Sequence, residues 1–255
     1  MQSPQVELNR DLIISSLQES AQNDPAVLAM WLEGADATGT VDEYSDIDLC
    51  FAVKAGAMSL VREAIHQTLT SLSIVDLEHE LSKGAAHEHV VFHLAGSSPY
   101  LLLDCNLFVE GGSTFFEDDD IEKPVILFDH CSKIRFICHD NSQAIQNRRE
   151  RLDSLTKIVN QSARITKYVK RGAYLEAFGY YHKWLILPLI ELLRMYYTPL
   201  HTDYYIVHIS RHLPEDTLRR LEDLCKVSSL ADIKQQSASA CIFIDEIIQK
   251  LEISE

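Results

Sequence analysis

Two aspartates one residue apart, Asp46 and Asp48, stand in the string Asp42-Glu-Tyr44-Ser45-Asp46-Ile47-Asp48-Leu49. On an extended segment, residues two apart point to the same face. Both carboxylates therefore share one face, while Ile47, Leu49, Phe51 and Val53 point the other way into a core. Adjacent carboxylates repel and cost stability unless a cation lies between them. Magnesium, a hard cation that prefers oxygen ligands, is the usual partner where phosphates are near. A third carboxylate, Asp104, interrupts the apolar run Pro99-Tyr-Leu-Leu-Leu-Asp104-Cys-Asn106-Leu-Phe. An unpaired charge there is expensive, and parity sets Asp104 and Asn106 opposite Leu101, Leu103, Cys105 and Leu107. The plainer alternative is a strand-end aspartate satisfied by backbone N–H groups. Upstream, a strand runs into Gly34 and a short turn-and-helix comes next, whose N-terminal N–H groups could take a phosphate.

This arrangement resembles the nucleotidyltransferases of the DNA polymerase β-like superfamily. Their pattern is a strand, Gly-Ser, a short helix, then Ser-Asp-x-Asp and an apolar residue. Here it stands as Gly34-Ala35, then Ser45-Asp46-Ile47-Asp48-Leu49. The full length, with a helical second half, is similar to the bacterial aminoglycoside and lincosamide adenylyltransferases. The resemblance implies transfer of a nucleoside monophosphate, with ATP as the default donor, to a hydroxyl of a small-molecule acceptor. It implies Asp46, Asp48 and Asp104 as catalytic carboxylates holding two magnesium ions, and Gly34, Ala35 and Ser45 at the nucleotide. It also implies a lysine of the helical half directed at the nucleotide phosphates, for which Lys183 is the candidate. Asp104, Glu80 and Glu176 are the candidates for taking the hydroxyl proton. One departure stands out: the family's serine after the glycine is Ala35, and a lost hydroxyl removes a hydrogen bond of about 1 kcal/mol net. Asp36, beside the expected triphosphate, must turn outward or meet a cation. Two competing readings are a non-catalytic binding protein that keeps the fold and a protein-modifying adenylyltransferase.

The elements that must position these groups are legible as a change of texture. Up to residue 138 the chain shows short β-type runs: Ala29–Leu32, Ile47–Val53, Ile74–Leu81, His89–Leu94, Tyr100–Val109, Val125–Phe128 and Ile134–Cys138. Amphipathic helices are expected over Asp11–Gln22 and Ser59–Leu72, the latter burying Leu60, Ile65, Leu69 and Leu72. From 139 onward come long stretches of helical period: Ser142–Arg171, Tyr174–Tyr197, Tyr204–His212, Pro214–Cys225 and Leu230–Leu251. Gly172 should end the first, Pro188 should kink the second and Pro214 suits the first turn of the fourth. The expected fold is α+β: a nucleotidyltransferase mixed sheet with helices on one face over 1–138, then a helical bundle over 139–255.

Parity places Asp76, Glu78 and Glu80 on one face and His87, His89 and His93 on one face of the next strand. If the acidic row joins Asp46, Asp48 and Asp104, the cleft suits a cationic acceptor; otherwise it is a solvated acidic face. The alternate histidines are either cleft residues or zinc ligands. The run Glu117-Asp-Asp-Asp120 reads as a solvated loop.

The 255 residues carry 23 Lys/Arg and 38 Asp/Glu, a net charge of −15 that opposes a polyphosphate backbone and disfavours nucleic-acid binding. All of it lies in 1–138, with 7 Lys/Arg against 23 Asp/Glu, while 139–255 carry 16 against 15, which sets template-independent RNA tailing aside. No apolar run reaches the roughly 18 residues of a membrane span. Met1–Arg10 lacks the basic-then-apolar pattern of a signal peptide. The six cysteines show no Cys-x-x-Cys, consistent with reduced thiols and a cytoplasmic setting. The sequence names neither the acceptor nor the oligomeric state.

Overall fold

The computed structural model describes residues 8–109, 111, 114–117, 121, 123–137 and 141–253. Residues 1–7, Asp118–Asp120 and Cys138, on which some of the expectations fall, lie outside the described residues. The chain divides into two compact units, Met1–Cys138 and His139–Glu255.

In the first unit, alternating apolar residues build a six-stranded mixed sheet. Its strands are β1 (Val27–Leu32), β2 (Ile47–Val53), β3 (Val75–Lys83), β4 (His87–Leu94), β5 (Leu103–Val109) and, after the short β6 (Thr114–Glu117), β7 (Val125–Asp129). The spatial order is β3-β4-β5-β2-β1-β7; β2 and β5 run parallel and the other pairs antiparallel. β6 pairs in parallel with β8 (Ile134–Ile137) in a separate two-stranded sheet. Sequence periodicity does not reveal β6, whose four residues are too few to show a period.

Helices α1 (Arg10–Asn23) and α3 (Met58–Leu72) cover one face of the large sheet. α1 starts at an Asn9 cap whose side chain accepts from the Leu12 N–H at 3.0 Å. It buries Ile13, Leu17 and Ala21, and α3 buries Val61, Ile65 and Leu69. Leu60, expected inside, is 71% exposed; Val61, one step round the helix, takes the inward position. Opposite them Ile47, Leu49, Phe51 and Val53 are fully buried, as parity requires. On the other face a smaller cluster joins Trp31, Cys50 and Ala52 with Ile134 and Phe108.

The edge strand β3 departs from simple alternation. Its register against β4 shifts between Val75 and Leu77 and again between Glu80 and Ser82. Each bulge inserts one residue and reverses the facing of the residues after it. Asp76 therefore bonds His93 on one side, while Glu78 and Glu80 lie opposite Phe92 and Val90, on the helix side. There Arg62 of α3 donates to Glu78 at 2.7 Å, to Glu80 at 2.6 Å and to the buried Glu88. The expectation of one acidic row from Asp76 to Glu80 beside Asp104 is overturned by the bulge.

The second unit is helical: α4 (Asn141–Val159), α5 (Ala163–Lys170), α6 (Tyr174–Tyr181), α7 (Leu187–Tyr197), α8 (Ile209–His212), α9 (Glu215–Cys225) and α10 (Leu230–Ile253). The helical period over Ser142–Arg171 does not give one helix: the chain turns through 160–162 between α4 and α5, and Gly172, at φ +69°, lies just beyond α5. α6 passes into α7 through a π-helical turn, His182–Ile186, where the Leu187 N–H bonds the His182 carbonyl. The widened turn comes just before Pro188, which has no N–H to give. Most of the helix expected over 204–212 is replaced by turns. Buried Arg194 takes the Tyr205 carbonyl at 2.9 Å and the Val207 carbonyl, and Tyr205 and His208 have positive φ. No helix among the described residues is long and apolar enough to cross a membrane.

Candidate functional site

The parallel pairing of β2 with β5 sets Asp48 directly beside Asp104, and Asp46 sits at the residue before β2 begins. Each offers a carboxylate oxygen, and the three oxygens lie within 4.8 Å of one another. Among the described residues this is a group of three side chains that could hold a metal ion, and all three are partly exposed. An all-oxygen, all-carboxylate set fits a hard divalent cation such as magnesium.

Gly34 is tied to this group by geometry. It opens the five-residue helix α2 (Gly34–Thr38) at φ +58°, where a side chain is strained. A Cβ there would come within 1.9 Å of Asp48 Oδ2. The Glu33 N–H bonds the Asp48 carbonyl at 3.0 Å, locking the turn to the strand. Ala35 is buried in α2. Ser45 uses its hydroxyl within the preceding turn, accepting from the Asp42 N–H at 2.9 Å and contacting Asp42 Oδ1 at 3.0 Å.

Asp36 meets a cation: its carboxylate is paired with Arg10, at side-chain exposures of 16% and 15%. Arg10 also donates to the backbone carbonyls of Asp46 and Ser45. One guanidinium from α1 thus fastens the α2 turn to the segment that carries Asp46. Sequence reasoning does not single out Arg10; its only signal is a charge at the start of an otherwise amphipathic helix.

The histidines of β4 share the aspartates' face. His89 Nε2 lies 2.6 Å from Asp104 Oδ1, and His87 Nε2 lies 2.9 Å from Asn106 Oδ1. His93 instead bonds Asp76 at 2.6 Å and the Ser98 carbonyl at 3.1 Å. Each ring is engaged by a different neighbour, so the three do not converge as a zinc site would require. The thiols of Cys50, on the aspartates' own face of the sheet, and of Cys105, on the opposite face, are pushed up, by burial first and then by nearby acidic groups, which keeps them protonated as packing groups.

Of the remaining candidates, Glu80 belongs to the first unit and Glu176 and Lys183 to the second. Glu80 lies on the helix side with Arg62, so it does not join Asp104 as a base. Glu176 is exposed on α6. Lys183 lies in the π-helical turn of the second unit, its Nζ 5.1 Å from the Trp184 ring centre. It lines a groove of about 690 Å³ in that unit with Arg151, Glu191 and Asp203.

No protein-family model and no curated protein matches the chain. Among solved structures, an aminoglycoside 6-adenyltransferase from Bacillus subtilis is similar at 12% identity and TM-score 0.41, covering 96% of this chain and 90% of that one. JHP933 from Helicobacter pylori is similar at 12% identity and TM-score 0.28, covering 100% and 96%. A chain of the GLD-2/RNP-8 complex is similar at 13% identity and TM-score 0.31, covering 87% of this chain and 65% of that one. The first unit is a mixed sheet with helices on one face and the second is helical, an α+β fold.

Proposed function

We propose that the protein is a magnesium-dependent nucleotidyltransferase that moves a nucleoside monophosphate, AMP from ATP by default, onto a hydroxyl of a small acceptor. The observation that carries this reading is the convergence of Asp46, Asp48 and Asp104 within 4.8 Å beside a glycine turn that only a missing side chain permits. The three carboxylates would hold magnesium, which when bound offsets triphosphate charge and lowers the pKa of the acceptor hydroxyl. Gly34 keeps the backbone of its turn bare, so main-chain N–H groups can approach phosphate oxygens where the Ala35 methyl offers none. Arg10 neutralises Asp36, removing a charge that would repel the nucleotide. The acceptor oxygen then forms a bond to the α-phosphorus, the bond from that phosphorus to the β-bridging oxygen breaks, and pyrophosphate leaves. Asp104 is the group proposed to take the hydroxyl proton. Lys183 remains the proposed phosphate lysine, and aminoglycosides and lincosamides are the first acceptors to try. A cationic acceptor now draws its support from the three aspartates, since Glu78 and Glu80 belong to Arg62.

Calorimetric titration with a non-hydrolysable ATP analogue, with and without magnesium, tests the reading. Wild type should bind it in a magnesium-dependent way and Asp46→Asn should not. If ATP, GTP, CTP and UTP analogues all fail to bind wild type, the non-catalytic reading replaces this one.

A further inference from the structure

We propose that His89 is a positioning residue for Asp104: it fixes that carboxylate so that the triad is formed before any cation arrives. The inference rests on the reading of the triad as a metal centre. A carboxylate on a strand rotates broadly about its last torsion, so a ligand carboxylate with no orienting bond loses that freedom on binding. Each of the three aspartates has its own restraint. Arg10 holds the main chain of Asp46, and the bare backbone of Gly34 abuts Asp48. For Asp104, the directly opposite residue on β4 is Val91, which has no polar atom to offer. The orienting bond comes diagonally from His89, two positions earlier, at 2.6 Å.

The same diagonal is repeated one rung along the pair of strands. His87 reaches along the same diagonal to Asn106 Oδ1 at 2.9 Å and stacks on Phe108 at 4.7 Å between ring centres. Its ring centre is 6.4 Å from that of His89. A carboxylate only accepts, so His89 Nε2 carries the hydrogen in this bond. The bond uses one acceptor site on Oδ1 and leaves the remaining lone pairs of Asp104 for a cation. Partners of this kind, behind a ligand, typically change metal affinity by about 10–100-fold when removed.

Manganese alone, followed by the electron paramagnetic resonance signal of the free ion, is the probe. His89→Leu should weaken manganese binding by about 10–100-fold. His89→Gln, whose amide can donate from near the same place, should restore most of it. His87→Leu, which breaks the neighbouring rung without touching Asp104, should leave it unchanged. Wild-type affinity in His89→Leu, or an equal loss in His87→Leu, overturns the proposal. If wild type itself shows no saturable site, the metal reading falls and His89 with it. If wild type binds, Asp46→Asn does not and His89→Leu is unaffected, only the role of His89 falls. Ring ¹⁵N NMR of wild type decides independently of any variant that fails to fold. Nε2 of His89 should keep its hydrogen when magnesium is added; its loss would make His89 a ligand and overturn the proposal.

Discussion

Glycines at positive φ allow two physical effects to be separated within one turn. Gly34 and Gly39 bracket α2 at φ +58° and +66°, so either alanine substitution carries the left-handed backbone cost of about 1–2 kcal/mol. Only at Gly34 does a new Cβ meet anything, Asp48 Oδ2 at 1.9 Å; at Gly39 nothing lies within 4 Å. Gly39→Ala should therefore lower stability by that amount and leave manganese binding intact. Gly34→Ala should cost more and abolish binding, because Asp48 or the turn must move. Urea denaturation with a manganese titration on both variants checks this, and equal metal affinity in the two would refute the close approach. Much of the site is legible in the sequence at this scale. The identities and shared face of Asp46, Asp48 and Asp104 come from period two and from the cost of a charge in an apolar run. Arg10 is not legible, because its partners Asp36 and Asp46 lie 26 and 36 positions along the chain and only the fold brings them together.

At the scale of elements, period two holds along β2 and β5 and fails across a bulge, in β3 on the edge and in β1 inside the sheet. β2 and β5 lie inside the sheet, and their inward residues are those that alternation names. β3 lies at one edge, where bulges and charges discourage pairing with another chain. Parity counted across a bulge gives the wrong face, which is why alternation alone sets Glu78 and Glu80 beside Asp104. Their actual role is to bind the strand to α3. Burial alone would lower the Arg62 pKa, but its bonds to Glu78, Glu80 and Glu88 raise it. Glu88 has a side-chain exposure of 1%, and its Oε2 has no hydrogen-bond partner, so Arg62 is its main support. Arg62→Leu should destabilise the protein by on the order of 3 kcal/mol through the stranded Glu88, and adding Glu88→Leu should recover most of the loss. A double-mutant cycle in urea measures this; purely additive losses would mean the pair is not coupled. The first bulge has a pH signature. Burial alone would lower the His93 pKa, but the bonds to Asp76 and the Ser98 carbonyl raise it overall. A histidine raised on folding contributes fully below its unfolded value, about 6.5, and that contribution fades as pH climbs through the folded value. Asp76→Asn should flatten the fall in stability as pH climbs above about 6.5; an unchanged slope would assign the fall to other groups.

For the molecule as a whole, the question is whether magnesium acts by chelation or only by screening. Residues 1–138 carry 7 Lys/Arg against 23 Asp/Glu, so this half attracts any divalent cation and gains stability when its self-repulsion is screened. A bare rise in melting temperature with magnesium would therefore not identify a site. Charge arithmetic separates the causes. Asp46→Asn changes a net −16 by one, which barely alters screening, yet it removes one of three converging carboxylates. The two tryptophans provide the readout, since Trp31 is buried in the first unit and Trp184 lies, partly buried, in the second. In a Trp184→Phe background, Trp31 fluorescence reports the melting of the half that carries the aspartates. Specific binding stabilises by RT ln(1 + [L]/Kd), about 2.7 kcal/mol at a hundredfold excess over Kd. Sodium chloride at matched ionic strength should raise the Trp31 transition equally with and without Asp46→Asn. Magnesium should raise it further in the parent and add nothing beyond sodium chloride in the variant. If the magnesium increment survives Asp46→Asn, the acidic half is only a polyelectrolyte, and the triad is three exposed carboxylates that lie near one another.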